Sequence, residues 1–414
     1  MRFRFGDVEA MSVASSSDTR LILTLCFVAF MFSVANLGAG ITSAILPLYI
    51  VGMGLSVGQL GLLLSTIHSS SATLRIPIGY LSDRHGYRRF YLAGLILAAL
   101  ALLSAGFASD WSYLVVAVVL AGLSHALYYV MQNATMIRDV PSSRRGVAFA
   151  WLFFSMHLGG LIGPAIGGIV AESFGLRPPF LLSSAIIITA LSLAVVVLGT
   201  RDPTQEKTET THSMITLLRM HKDLVLRICT ARMLYHLPFT VFTPLVVLLL
   251  RGGFSATYFE IGLATTVSGI GGVVGSLVSE RLGRAVGKRL VIVCGLLVAS
   301  PAALATAFAA TLVAAVAALA AVSFIWGTLT PNYDSLIGDL SPQTSVALIY
   351  STATTFGSVG MTLSSILGGA VAEYFGIRSS FIFIAATCVV AGVMQFYIPK
   401  GTGRVSCSKP GISN

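Results

Sequence analysis

Twelve long, mostly uncharged apolar runs follow one another along this chain, at roughly 21–50, 57–81, 89–108, 111–137, 146–173, 179–199, 223–250, 257–279, 288–309, 311–337, 344–374 and 379–398. A helix needs about 20 apolar residues to cross the hydrocarbon core of a bilayer. The runs are continuous, not alternating, which favours helices over the strands of a barrel. Charged residues make up 10% of the 414 positions and hydrophobic residues 55%, whereas a soluble domain has roughly 25% charged residues. The sequence therefore predicts an all-α membrane protein in contact with the lipid bilayer.

The net charge of +10 does not point to nucleic acid, because the placement of the charges is an orientation signal. With both termini inside, Arg177, Arg251 and Arg378 fall in outer loops and Arg75 and Arg232 fall within spans. Every other Lys and Arg is then cytoplasmic, the bias expected of a multi-pass protein of the cytoplasmic (inner) membrane. Residues 1–20 are polar, lack the apolar core of a signal peptide and read as a cytoplasmic tail, as do residues 399–414. The polar stretch 201–222 reads as a cytoplasmic linker between two six-helix bundles, 21–200 and 223–398. The five cysteines lack C-x-x-C spacing, so neither a disulfide framework nor a metal site is expected.

The halves resemble each other. Ala171-Glu172-Ser173-Phe174-Gly175-Leu176-Arg177 parallels Ala372-Glu373-Tyr374-Phe375-Gly376-Ile377-Arg378, and Asp83-Arg84-His85-Gly86 parallels Glu280-Arg281-Leu282-Gly283. Asp139 parallels Asp339. Three matches in the same order argue for an internal duplication.

The second and third spans are joined by Gly79-Tyr80-Leu81-Ser82-Asp83-Arg84-His85-Gly86-Tyr87-Arg88-Arg89. Gly79 permits close helix approach, Gly86 a tight turn, and Asp83 is an acceptor at a helix end. The pattern resembles the signature loop between the second and third helices of the major facilitator superfamily. That resemblance implies twelve transmembrane helices in two six-helix pseudo-repeats that rock about a midplane site. It further implies that the loop is a latch of the outward-facing state, in which Asp83 pairs across the halves and Arg84 and Arg88 support it. The alternative is a solvated basic loop with no gating role.

In the fifth span Gly159, Gly163 and Gly167 recur every four residues, next to Pro164 and Gly168. Such a face suits close packing, and Pro164 should bend the helix. The run resembles the g-x-x-x-G-P-x-x-G-G pattern of facilitator antiporters. One family feature is missing: Val118 stands four residues before Gly122, where many drug–proton antiporters carry Arg.

Polar groups inside spans are costly, roughly 2.5–3.5 kcal/mol for a charge at mid-bilayer on the lenient scale. His125, Tyr128, Tyr129 and Gln132 share a face of the fourth helix, and Arg232, Tyr235, His236, Phe239 and Thr243 a face of the seventh. Asn36 lies on a polar stripe of the first. Trp326, Thr330 and Tyr333 align on the tenth, with Asn332 and Asp334 adjacent. By the resemblance, these four helices line the central cavity. The substrate-cavity candidates are therefore Asn36, His125, Tyr129, Gln132, Arg232, His236, Trp326, Asn332 and Asp334. Each could instead satisfy an interhelical hydrogen bond, and Arg232 could pair with Asp334. Four intramembrane histidines, His68, His125, His157 and His236, could carry a coupling proton.

No phosphate loop, H-E-x-x-H or G-x-S-x-G signature stands out, so the chain does not read as an enzyme. The expected function is alternating-access transport, led by proton-coupled efflux of a small amphipathic or drug-like molecule, without a cofactor and as a monomer. Uptake or exchange of an anionic metabolite is the alternative, followed by a non-transporting receptor or scaffold.

Overall fold

The computed structural model describes residues 33–85, 87–138, 145–198, 222–341 and 346–397. Within these, the side chains at 76, 79–80, 83–85, 87, 128–138, 145–158, 197–198 and 346–348 lie outside the description.

The first half comprises α1 (Ser33–Gly52), α2 (Val57–His85), α3 (Tyr87–Gly106), α4 (Trp111–Arg138), α5 (Arg145–Phe174) and α6 (Pro178–Leu198). The second comprises α7a (Lys222–His236), α7b (Phe242–Phe254), α8 (Tyr258–Val286), α9 (Lys288–Ala307), α10 (Leu312–Leu340), α11 (Val346–Phe375) and α12 (Ile377–Met394). Among the described residues, eight helices are long and apolar enough to cross a membrane. Shorter apolar helices include Trp111–Leu127, Gly159–Phe174 and Phe242–Phe254. The described residues hold no strand.

The sequence predicts one continuous seventh span over 223–250, and the structure corrects this. The helix stops at His236 and resumes at Phe242. Pro238 has no N–H to donate and disfavours helical geometry at Leu237 before it. The opened backbone is taken up locally: the Thr240 hydroxyl donates to His236 O (3.1 Å), and Val241 N–H donates to the Ser364 hydroxyl (3.3 Å). In α1 a turn at residues 44–45 precedes Pro47, so both halves interrupt their first helix. Pro164, expected to bend the fifth span, lies inside a helix assigned without a break.

Within each half, tight helix contacts depend on glycine. A Cβ added at Gly163 would stand 2.6 Å from the backbone of Gly40 in α1, and Gly159 and Gly167 face Asn36 and Ile41 just as closely. The glycine face expected from sequence therefore seats α5 on α1. Gly160, one step round the helix, meets nothing within 4 Å.

The halves meet along α2–α11 and α5–α8. Gly61 abuts the backbone of Ser365 and Gly369, while Gly262 abuts Pro164 O and Gly168. These two sets occupy equivalent positions in the repeat. Polar links accompany them: the Thr266 hydroxyl donates to Leu161 O (2.9 Å) and the Arg75 guanidinium to Thr354 O (3.4 Å).

The duplicated Ala-Glu-x-Phe-Gly-x-Arg segments follow one plan. Gly175 and Gly376 take φ of 90° and 88°, the left-handed region that favours glycine, and end α5 and α11. Arg177 donates to Ala108 O (3.0 Å) just beyond α3, and Arg378 to Ala307 O (2.8 Å), the last residue of α9, and to Ala309 O (3.1 Å) beyond it. A cation at a helix C-terminus satisfies orphan carbonyls and the dipole together. Glu172 and Glu373 reach the other half instead: Tyr258 N–H donates to Glu172 (2.7 Å) and Gly58 N–H to Glu373 (3.0 Å).

Adding a methyl group should separate the two kinds of glycine. Gly163→Ala is expected to cost about 1–3 kcal/mol through forced backbone shifts, lowering the melting temperature of detergent-solubilised protein. Gly160→Ala should leave it unchanged. Equal melting of the two variants would rule out the α1–α5 contact described here.

Candidate functional site

In the first half a cavity of about 360 Å³ lies between α1, α3, α4 and α6 and touches α2. Its walls are mostly apolar, with Leu95, Leu102 and Val118 among them, and its few polar groups include Asn36, Ser43, Ser124 and His125. Ser124 is committed to Gly94 O (2.8 Å) and Ser43 to Gly40 O (2.7 Å). Ala39, Ser43 and His125 are exposed although they sit well inside their spans. The His125 Nδ1 lies 3.2 Å from the Ser71 hydroxyl, to which Arg75 also donates (3.3 Å). Arg75 was placed within a span by sequence but was not among the cavity candidates. A charge in an apolar run, four residues from Ser71 on one helix face, was the available signal.

The second half holds an aromatic and ionic cluster between α7a and α10. Tyr235 stacks on Trp326 (4.8 Å between centroids, 14° between planes) and tilts against Tyr333 (4.7 Å). Phe239 and His236 pack on the same indole at 4.5 and 5.4 Å. The Tyr235 hydroxyl and Thr330 Oγ1 are 2.8 Å apart. Arg232 lies over the rings of Tyr333 and Tyr235 at 4.8 and 5.4 Å, and its Nη2 is 2.9 Å from Asp334 Oδ1. The Arg232 side chain is 6% exposed and that of Asp334 28%. Tyr350 of α11 also donates to Asp334. Among the described residues, Asp334 is the carboxylate set within this cluster. A buried arginine here is tolerable because its charge is paired and covered by aromatic faces.

The structure thus brings Arg232, His236, Trp326 and Asp334 into one cluster in the second half and sets Asn36 and His125 on the wall of the first-half cavity. Asn332 is corrected: it points away from the cavity into α8. Its amide nitrogen donates to Ser279 O (2.9 Å), Ser279 Oγ (2.7 Å) and Thr328 O (3.0 Å). Adjacency to Tyr333 and Asp334 in sequence hid this, because neighbouring helical positions face different directions. The side chains of Tyr129 and Gln132 lie outside the described residues. So do those of Asp83 and Arg84, and all of Gly86; the backbone is helical from Gly79 to His85. Leu81 and Arg89 are exposed and Arg88 half-buried.

Two helical halves of one repeated plan, with helices long and apolar enough to cross a membrane and joined along α2–α11 and α5–α8, are the architecture of a membrane transporter. The Major Facilitator Superfamily pattern matches residues 28–229 and again 228–411, and the chain belongs to that family. Among curated proteins it is 26% identical over 368 residues to the Multi-drug resistance efflux pump PmrA homolog of Lactococcus lactis subsp. lactis (strain IL1403), covering 85% of this chain and 88% of that one. It is 26% identical over 385 residues to Multidrug resistance protein MdtG of Serratia proteamaculans (strain 568), covering 88% and 90%. Among solved structures, a bacterial homolog of the human lysosomal transporter Spinster, in an inward-facing and unoccupied conformation, superposes with a TM-score of 0.74 at 15% identity, covering 91% of this chain and 96% of the other. The nucleoside transporter NupG superposes with a TM-score of 0.78 at 11% identity, covering 91% and 99%.

The Arg232–Asp334 pair can be tested by neutralisation. Arg232→Gln and Asp334→Asn should each destabilise strongly, by about 3–5 kcal/mol, because each strands a buried charge. The double variant should recover most of the loss. Singles and a double that melt alike would show that the two groups are independent.

Proposed function

We propose that this protein is a proton-coupled exporter of small amphipathic molecules in the cytoplasmic membrane, with both termini and the 201–222 linker inside. The cavity in the first half carries this reading. Its volume falls within the 300–1,000 Å³ typical of small-molecule sites, and its wall is apolar with a few polar handles. An apolar chamber with a few polar groups on its wall suits molecules with one greasy and one polar end. The names of the curated relatives, multidrug efflux proteins, agree with it.

The competing reading, uptake of an anionic metabolite, draws on Arg232 as a cavity cation and on the scarcity of intramembrane acids. Pairing of Arg232 with Asp334 weakens the first of these. Asp334 is instead the group placed to exchange the coupling proton, since protonating it would release Arg232 and the cluster around it. In the proposed orientation the 79–89 loop lies on the cytoplasmic face, where it latches the outward-facing state.

Flux in proteoliposomes under an imposed pH gradient, against a panel of amphiphiles graded in size, tests the reading. Ala39→Leu should cut export of the bulkiest compounds roughly tenfold, about 1.4 kcal/mol, and spare the smallest. Asp334→Asn should abolish the response to the gradient. Uniform loss across the panel would sink the chamber as the substrate site, and gradient-independent flux in the unaltered protein would sink proton coupling.

A further inference from the structure

The carboxylates of Glu172 and Glu373, the acids of the duplicated motif, line neither the cavity nor the aromatic cluster, yet each bridges the two halves. Both accept from the backbone of a helix in the opposite half, Tyr258 N–H of α8 and Gly58 N–H of α2, at 2.7 and 3.0 Å. An anion at a helix N-terminus is favoured both by the unpaired N–H groups and by the dipole.

These bonds are not needed to finish the helices. Each N-terminus already has a reciprocal cap from its own half. In α8, Thr257 and Glu260 cap each other's backbone N–H groups, at 3.1 and 2.7 Å. In α2, Ser56 and Gln59 do the same, at 3.2 and 2.9 Å. The cross-half carboxylates take the N–H groups that a capping box leaves over. They also sit beside the tightest approaches between the halves, Gly61 on Ser365 and Gly262 on Pro164. Any motion that parts the halves at this end breaks both bonds while leaving every cap within a half intact.

From this geometry we infer that Glu172 and Glu373 are positioning residues of the transport cycle: a twofold-repeated clamp that favours closure of the face opposite the linker. Water can replace a broken cap on exposed backbone, so the clamp biases the equilibrium and does not lock it. The face it closes is the outer one under the orientation proposed above.

Cysteine accessibility tests the clamp. Ala39→Cys, on the cavity wall, is placed in a cysteine-free background and labelled with a membrane-impermeant maleimide in intact cells. Glu172→Gln and Glu373→Gln should each raise labelling about three- to tenfold, with the factors multiplying in the double variant. Glu260→Gln weakens a cap within one half and should leave labelling unchanged. Labelling unaltered by either cross-half substitution, or raised equally by Glu260→Gln, would overturn the inference. A second variant does not depend on tolerance of Gln: Glu172→Cys with Tyr258→Cys should stop transport when oxidised and resume on reduction. Full flux in the crosslinked protein would also overturn it. A tag inserted in the linker reports orientation independently, so a reversed protein is distinguished from an absent clamp.

Discussion

Backbone-to-backbone contact between the halves is the constraint on which the rest of this structure depends. In a bilayer, helices gain little from hiding apolar side chains, because lipid is equally apolar. What holds the halves must come from close van der Waals approach and from polar links. Gly61, Gly168, Gly262 and Gly369 supply the first at equivalent places in the two repeats. Such contacts are extensive when made and vanish within a small displacement, since dispersion falls steeply with distance. Two interfaces of this kind suit an element with two discrete arrangements better than one that deforms gradually.

The interiors of the two halves differ from this interface and from each other. The second half is fixed by aromatic stacking around Trp326 and Tyr235 and by a buried ion pair. The first half encloses a mostly apolar cavity with few polar groups. One half is therefore tied by directional contacts where the other leaves room. The same division explains why a proton acting at Asp334 would be felt widely: the carboxylate touches Arg232, which lies on two rings of the cluster.

Much of the fold was legible because the bilayer enforces it. Span lengths and the duplicated Ala-Glu-x-Phe-Gly-x-Arg motif are direct consequences of hydrocarbon thickness and gene-level repetition. The glycine face of α5 was legible as a packing surface, although sequence could not name α1 as its partner. The break in the seventh helix was missed because Pro238 sits in an apolar run, and hydropathy does not register a lost N–H donor. Asn332 was misplaced because its neighbours in sequence face the cluster while its own side chain faces α8. Pairing of Arg232 with Asp334 could be named as an alternative but not chosen, since it depends on how α7a and α10 meet.

The repeated motif was recognised as evidence of duplication, and its chemistry emerged only from the contacts. Its arginine ties the motif to a helix end within its own half, while its glutamate reaches across to the other half. One short segment therefore carries both a fixed and a breakable bond, in both repeats. The arginine contact can survive rocking because it joins elements that move together. The glutamate contact cannot, because it joins elements that must separate. Duplication then ensures that the two breakable bonds lie on either side of the pseudo-symmetry axis and part in the same motion. A closed face held this way opens as a unit, because neither bond can persist once the other is broken.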